Sequence, residues 1–434
     1  MVPKIEVCAM HLHRDTVRIV EEQILECRLV VPEFCRLPVL QFCRLPVPGR
    51  RCLMNAVRKC DRVERDGGPL YHAMKMTVPV KRVLIYRLGS LGDTLVALPA
   101  LKLVARAFPS AERRMLTNFP VMGKAPAAAA VLGHTGLVDS YERYGVGERN
   151  PLRLLGLAWR IRRWKPEVLV YLAGARGVEA GKRDAVFFRL CGIRRIVGLP
   201  LTEDLQTHLP RENGLFEREG ERLARCLDEI GDAEVQWSES WRLPLTEKER
   251  ERAAKVLEPL GGRRFFSLSL GTKAQANEWG DENWRDLLAE LVAAYPESAL
   301  VLLGSEEDRS RSEAVAAYWP GGAINVCGQL TPRESAAVLA EARVFLGHDS
   351  GPMHLAASVG APIVGVFSSR NLPGVWFPYG ERSRIVSHAV SCGGCGLVEC
   401  VVEKKRCIVS IEVAEVMAAV REVVALESTL MVVK

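Results

Sequence analysis

The sequence predicts an α/β fold: two doubly wound, mostly parallel sheets, each with helices on both faces. Three observations carry the prediction. Short runs rich in Val, Ile and Leu alternate with amphipathic stretches over residues 80–240. The same rhythm returns over 262–410. Each segment also holds a strand-to-helix turn built on glycine, at 86–93 and at 347–352.

Composition bounds the class. The chain has 434 residues, 48% of them hydrophobic and 26% charged, which excludes a disordered chain and leaves room for two or three domains. No uncharged apolar run reaches the ~18 residues that a membrane-spanning helix needs. The first residues lack the basic-then-apolar pattern of an export signal. A net charge of +7 permits attraction to anionic lipid or phosphorylated glycan. The basic groups at 160–163 and 404–406 are not interleaved with aromatics, so no nucleic-acid partner is expected.

Residues 1–79 differ from the rest. They hold Cys8, Cys27, Cys35, Cys43, Cys52 and Cys60, and a hexamer, Phe-Cys-Arg-Leu-Pro-Val, occurs at 34–39 and again at 42–47. A proline in each copy opposes a regular helix or a central strand. Without an export signal a disulfide framework has little support. The reading preferred is a poorly ordered extension or a start assigned too far upstream, with a small module as the alternative.

Strands follow at 83–86, 114–117, 168–172 and 195–199, with helices near 94–107, 121–132, 151–164, 180–191 and 217–230. Pro99 should kink the first of these or mark a shortened first turn. In the helix at 151–164, Leu152, Leu155 and Trp159 with Arg162, Arg163 and Lys165 could suit a membrane surface. The reading preferred is a helix covering the sheet, with Leu and Trp inward and Arg solvated. The interdomain connection falls near 241–246, which separates domains at 80–242 and 243–410. The second carries strands at 265–270, 299–303, 324–326, 344–346 and 363–367, and helices at 246–260, 281–294, 308–318, 332–341 and 351–359. A last helix covers about 411–426 of the segment 411–434.

Ligands of such sheets bind at the carboxyl ends of the strands. At the later turn, Asp349 or Ser350 can cap the helix, Pro352 fits its first turn, and Gly351 lets a diphosphate approach the backbone. The free N–H groups and the helix dipole favour phosphate, and His354, one turn inside, could reach a phosphate oxygen. An ordinary junction would look similar. At the earlier turn, Gly89, Ser90, Leu91 and Gly92 precede Asp93, which either meets a ligand or only caps its helix. The Rossmann G-x-G-x-x-G and the P-loop pattern are both absent.

Gly271, Thr272 and Lys273 follow the strand at 265–270. There Lys273 could neutralise a departing diphosphate, or be a solvated loop lysine. Ser305 and Glu306 could hold a ribose or a base edge, or form an acidic first turn. Gln329, Leu330 and Thr331 end another strand and line a base pocket, with Thr331 also capping a helix. Cys392, Cys395, Cys400 and Cys407 form C-x2-C-x4-C-x6-C, which could carry structural zinc or an iron–sulfur cluster, or else disulfides or free thiols.

The segment Arg87–Asp93, with its strand and amphipathic helix, and Asp349–Ala357, followed by Gly360–Phe367, together resemble glycosyltransferase family 9, the ADP-heptose:lipopolysaccharide heptosyltransferases. That family carries R-x-G-x-x-G-D early and [ND]-[ST]-G-x-x-H-[LI]-A-A late. The resemblance spans roughly residues 80–425. It implies GT-B architecture, with two Rossmann-like domains facing a cleft and the final helix crossing back to the first. It also implies an inverting, metal-independent glycosyltransferase that moves heptose from ADP-heptose onto a lipopolysaccharide core or related surface glycan. Asp93 would be the general base and Gly89–Gly92 the acceptor-side loop, with no cofactor required. The partners would be a nucleotide-diphospho-sugar and a glycolipid or glycan acceptor. The setting would be cytoplasmic, with peripheral contact to the inner membrane. The family's K-x-W-P is replaced by Asn277-Glu278-Trp279-Gly280, which leaves Lys273, four residues earlier, to do that lysine's work. The alternative is a non-catalytic nucleotide-sugar-binding or glycan-assembly protein of the same fold.

Overall fold

The computed structural model describes residues 79–119, 128–145, 147–320 and 323–432, with side chains as far as 426. The expectations for the first 78 residues lie outside them.

Two parallel sheets form. The first joins β1 (Arg82–Tyr86), β2 (Glu112–Asn118), β3 (Ser140–Tyr144), β4 (Val168–Tyr171) and β5 (Arg195–Val197) in the order β3-β2-β1-β4-β5. The second joins β6 (Phe265–Ser269), β7 (Ala299–Leu302), β8 (Ala323–Asn325), β9 (Val344–His348), β10 (Ile363–Val366) and β11 (Ser383–Val386) in the order β11-β10-β9-β6-β7-β8. The order reverses between β1 and β4, and again between β6 and β9. Those reversals open a crevice at the carboxyl edge of each sheet.

Strands covered on both faces must be apolar throughout. Accordingly β4, β6 and β9 are fully buried, and β1 is buried from Val83 to Tyr86. The sequence reading missed β3 and β11. Both are half-buried edge strands with polar residues, Ser-Tyr-Glu-Arg-Tyr and Ser-Arg-Ile-Val, and neither has an apolar run to announce it.

The first half supplies α1 (Leu91–Val96), α2 (Leu98–Ala107), α3 (Ala128–Leu132), α4 (Pro151–Trp164), α5 (Val178–Leu190), α6 (Glu203–Gln206) and α7 (Glu219–Cys226). The second supplies α8 (Glu247–Leu257), α9 (Asp281–Ala294), α10 (Arg309–Ala316), α11 (Pro332–Ala340), α12 (Gly351–Val359), α13 (Arg406–Val409) and α14 (Val413–Val432). The helix expected at 94–107 is two helices broken at Ala97, with Pro99 in the first turn of the second.

One packing expectation is corrected. Helix α4 buries Leu157 and Ile161 against the sheet, while Leu152, Leu155 and Trp159 face outward. One helix face is enough to cover the sheet, and the apolar stripe at i, i+3 and i+7 lies on the other. Helix α14, which the resemblance would have cross back to the first half, packs on the second sheet. Val416, Met417, Val420 and Val423 join the core of the second sheet and lie against α9, β10 and β11. Its apolar stripe closes the open face of those last strands.

Arg333 in α11 ties the halves together. It donates to both carboxylate oxygens of Glu249 in α8, to Val131 O in α3 at 2.9 Å and to Pro244 O in the connection at 2.7 Å. Arg333→Ala strands the buried Glu249 charge and frees two carbonyls. Loss of one partner from such a pair costs about 3–5 kcal/mol. The expected result is a fall of that size in urea-unfolding free energy.

Candidate active site

A cleft of about 500 Å3 lies between the carboxyl edges of the two sheets. From the first half it is lined by Ser90, Leu91, Gly92 and Asp93, just after β1. From the second half come Gly271, Thr272, Lys273 and Asn277 after β6, and Ser305 and Asp308 after β7. Leu330 follows β8, and Asp349, Ser350, Gly351, Pro352 and His354 follow β9. Strand-order reversal makes the loops after β1, β6 and β9 the inner walls.

Asp93 is positioned by its own turn. Ser90 donates its backbone N–H to Asp93 Oδ2 at 2.6 Å and its hydroxyl to the same oxygen at 2.8 Å. Asp93 is thus the third residue of a capping box and also a cleft carboxylate. Gly89 does not line the cleft. Its φ of +134° suits glycine, and a Cβ there would lie 2.4 Å from Asp93 Cβ. The buried Arg87 donates to Asp93 O, with Nε at 3.0 Å, and to Leu172 O at 2.5 Å, which fixes the turn on β1 and β4. Burial pulls the Arg87 pKa down, opposed by the charges of Asp93 and Glu219.

Across the cleft, α12 starts without a side-chain cap. This corrects the expectation that Asp349 or Ser350 would cap it. Asp349 is occupied elsewhere: Asn371 donates to its Oδ2 at 3.2 Å, and His354 Nε2 lies 3.8 Å from its Oδ1. The Ser350 hydroxyl is buried and has no hydrogen-bond partner among the described residues. The first-turn N–H groups of α12 and that hydroxyl therefore remain open to an anion.

The two turns touch. A methyl group placed on Gly92 would lie 2.7 Å from His354 Cδ2, and one on Gly351 would lie 2.7 Å from Leu91 Cδ2. Glycine at both positions lets α1 and α12 meet end to end across the cleft.

Lys273 sits at the cleft mouth. Crowding by the surrounding protein lowers its pKa below that of an ordinary lysine, and the Asp93 carboxylate opposes the shift. Both side chains line the same cleft, from opposite halves. Thr272 Oγ1 lies 3.4 Å from Ala274 N.

The loop carrying Lys273 is pinned from behind. Buried His348 accepts from Trp279 N at 3.1 Å and from Trp284 Nε1 at 3.2 Å, and burial holds its pKa down at about 3. Asn277, where the resemblance led us to look for a lysine, donates to Asp349 O at 3.2 Å and accepts from Ser368 Oγ at 2.5 Å. It joins the loops after β6 and β9.

Some expected residues are placed differently. Glu306 is outside the cleft lining and pairs with Arg309 at 3.0 Å. Its neighbour Asp308 reaches the cleft instead, accepting from Ser305 N at 2.8 Å and from Ser305 Oγ at 2.7 Å. The 3-10 turn at 306–308 swings the third acidic residue inward and the first outward. Thr331 caps α11, and Gln329 donates to Asn325 O at 3.2 Å, so only Leu330 of that trio lines the cleft.

The sequence reading also missed Asp308, Arg370, Asn371 and Trp376. The last three lie on the loop after β10, which carries no motif. The strand order could have pointed to that loop, because its carboxyl end borders the same edge.

Among the described residues, no group of three or more His, Cys, Asp or Glu side chains is placed to hold a metal ion. The zinc or iron–sulfur reading of Cys392, Cys395, Cys400 and Cys407 gains no support from this placement, and all four are free cysteines, the alternative the sequence left open. Cys395 is exposed, and the Cys400 sulfur lies 3.4 Å from Lys405 N. Burial raises the Cys407 pKa, with Cys392 and Cys400 adding to it. The segment is instead held by main chain: Gly394 N donates to Ser369 O at 2.8 Å, and Ala276 N donates to Val398 O at 3.0 Å. Among the described residues no helix is long and apolar enough to cross a membrane.

Comparisons with known proteins agree with this architecture. Residues 221–406 match the family described as glycosyltransferase family 9 (heptosyltransferase). Lipopolysaccharide heptosyltransferase 1 of Pseudomonas aeruginosa is 25% identical over 325 residues, which cover 72% of this chain and 86% of that protein. The crystal structure of a family 9 glycosyl transferase from Veillonella parvula superposes with a TM-score of 0.63 at 16% identity, covering 81% of this chain and 99% of that one. The E. coli heptosyltransferase WaaC with ADP-2-deoxy-2-fluoro heptose superposes with a TM-score of 0.52 at 17% identity, covering 79% and 99%. The two solved structures share the fold, and the sequence matches extend the likeness to the family. With both sheets, the cleft between them and these matches in hand, the chain has GT-B architecture and is similar over residues 221–406 to glycosyltransferase family 9, the heptosyltransferases.

Proposed function

We propose that this enzyme transfers heptose from ADP-heptose, with inversion, to a hydroxyl of an inner-core lipopolysaccharide glycan or a related surface glycan. One observation carries the reading. The Asp93 carboxylate and the uncapped start of α12 line one cleft from opposite halves. The donor's diphosphate lies on the α12 amides, with the Ser350 hydroxyl and Lys273 taking further oxygens. The nucleoside extends toward Ser305, Asp308 and Leu330. The acceptor hydroxyl enters beside Gly92, gives its proton to Asp93 and attacks the anomeric carbon from the face opposite the diphosphate. The departing charge is met by the dipole of α12 and by Lys273, both already in place before reaction. Likeness to a heptosyltransferase bound to an ADP-heptose analogue supports the donor, and the Pseudomonas relative supports the acceptor class.

The test is calorimetric titration with ADP, GDP and UDP, followed by turnover of ADP-heptose with a core-glycan acceptor. We expect ADP to bind tightest, and the product to have the anomeric configuration opposite to the donor's. Retention of configuration, or preference for UDP, would overturn the assignment.

A further inference from the structure

We propose that the outward face of α4 and α5 is a docking surface for an anionic lipid bilayer. The apolar residues there serve no core. Leu152 is 77% exposed, Leu155 66%, Trp159 59%, Val186 56% and Leu190 70%, while Leu157, Ile161, Ala185 and Phe188 of the same helices already cover the sheet. A cluster of this kind marks an interaction surface rather than a packing defect.

The cations around it say what it meets. Residues 142–195 hold thirteen Lys and Arg against five Asp and Glu, an excess that persists although Arg153 and Arg160 pair with Glu148 and Glu142. Arg163 stacks over the Trp159 ring at 5.3 Å, and Arg162 donates to Leu190 O at 3.3 Å, so both helices and both kinds of side chain form one patch. Apolar side chains at acyl depth with guanidinium groups at headgroup level are the pattern of an interfacial helix on anionic lipid. A second copy of this face would set like charge against like. Residues 1–78 are also net basic, with thirteen Lys and Arg against nine Asp and Glu, and complement it poorly.

Position completes the argument. The first sheet is wholly parallel. Helices α4 and α5 therefore start from the edge at which β1 delivers Asp93. A bilayer on this face lies beside the mouth of the cleft. The inference deepens the proposed acceptor reading: a lipid-borne glycan would arrive at Asp93 from the surface that holds the enzyme.

The test sediments the full chain with vesicles of phosphatidylethanolamine and phosphatidylglycerol, and with phosphatidylcholine alone. We expect binding to the first only, lost in about 1 M salt, where the screening length falls to about 3 Å. The combined change Leu152→Ser, Leu155→Ser, Trp159→Ser should lower binding at least about tenfold, and Arg162→Glu with Arg163→Glu should do the same. Unchanged thermal midpoints and ADP affinity would certify both variants as folded. Three results would overturn the proposal: full chain left in the supernatant, equal binding to phosphatidylcholine, or variants that bind like wild type. So would a variant that loses only self-association, since that makes the face a contact between copies. The assay needs neither donor nor turnover, so it can fail while transfer stands, and stand while transfer fails.

Discussion

Asp93→Asn is expected to lower kcat by about 10²- to 10⁴-fold, the range that a positioned general base contributes, while ADP affinity stays within about twofold by calorimetry. The substitution isolates the chemistry because the geometry survives it. Asparagine keeps an oxygen that can accept from Ser90 N–H and Ser90 Oγ, so the turn holds its cap. What disappears is the ability to take a proton. Ser90→Ala is the control: it removes one hydrogen bond to Oδ2 and leaves the carboxylate, so its effect on kcat should be small. An Asp93→Asn enzyme with normal turnover and a lowered thermal midpoint would reduce the residue to a helix cap.

Lys273→Met is expected to cost about 10²- to 10³-fold in kcat/KM, comparable to losing one preorganised donor at a developing negative charge. The pH dependence separates this role from that of a bystander. Crowding lowers the lysine's pKa and Asp93 only partly restores it, so the ammonium should lose its proton below the ordinary lysine value of about 10.4. The charged form is the useful one. Wild-type kcat/KM should therefore fall as pH rises through that lowered value, and the alkaline limb should be missing in Lys273→Met. Lys273→Arg, which stays charged, should restore part of the rate and push the limb upward. A methionine variant that keeps the same limb would assign it to another group.

Much of this was legible in the chain before any coordinates. Buried parallel strands declare themselves because both faces must be apolar, which is why β1, β4, β6, β7 and β10 lie close to where the sequence put them. The turns at 87–93 and 349–354 stood out because glycine beside an acid or hydroxyl follows each strand, although the cap expected of Asp349 or Ser350 did not form. What failed to show did so for physical reasons. Edge strands β3 and β11 face solvent and read like loops. Amphipathic periodicity reveals that a helix has an apolar face but not that α4 has two, one of them turned outward. Glu306 and Asp308 differ only in which way a single tight turn carries them. Arg370, Asn371 and Trp376 reach the cleft through tertiary position alone.

The end-to-end meeting of Gly92 with His354 and of Gly351 with Leu91 also partitions what the enzyme can change. These contacts consume the inner wall, where any added carbon collides, so the transfer machinery tolerates almost no variation. The far wall is built by Leu330, Ser335 and Leu339 with Gly328, where an added Cβ would meet the side chain of Glu306 rather than the opposite half. On the proposed reading, nucleotide preference would be redesigned through the side chains of that flank, away from the glycine contacts that join the two halves.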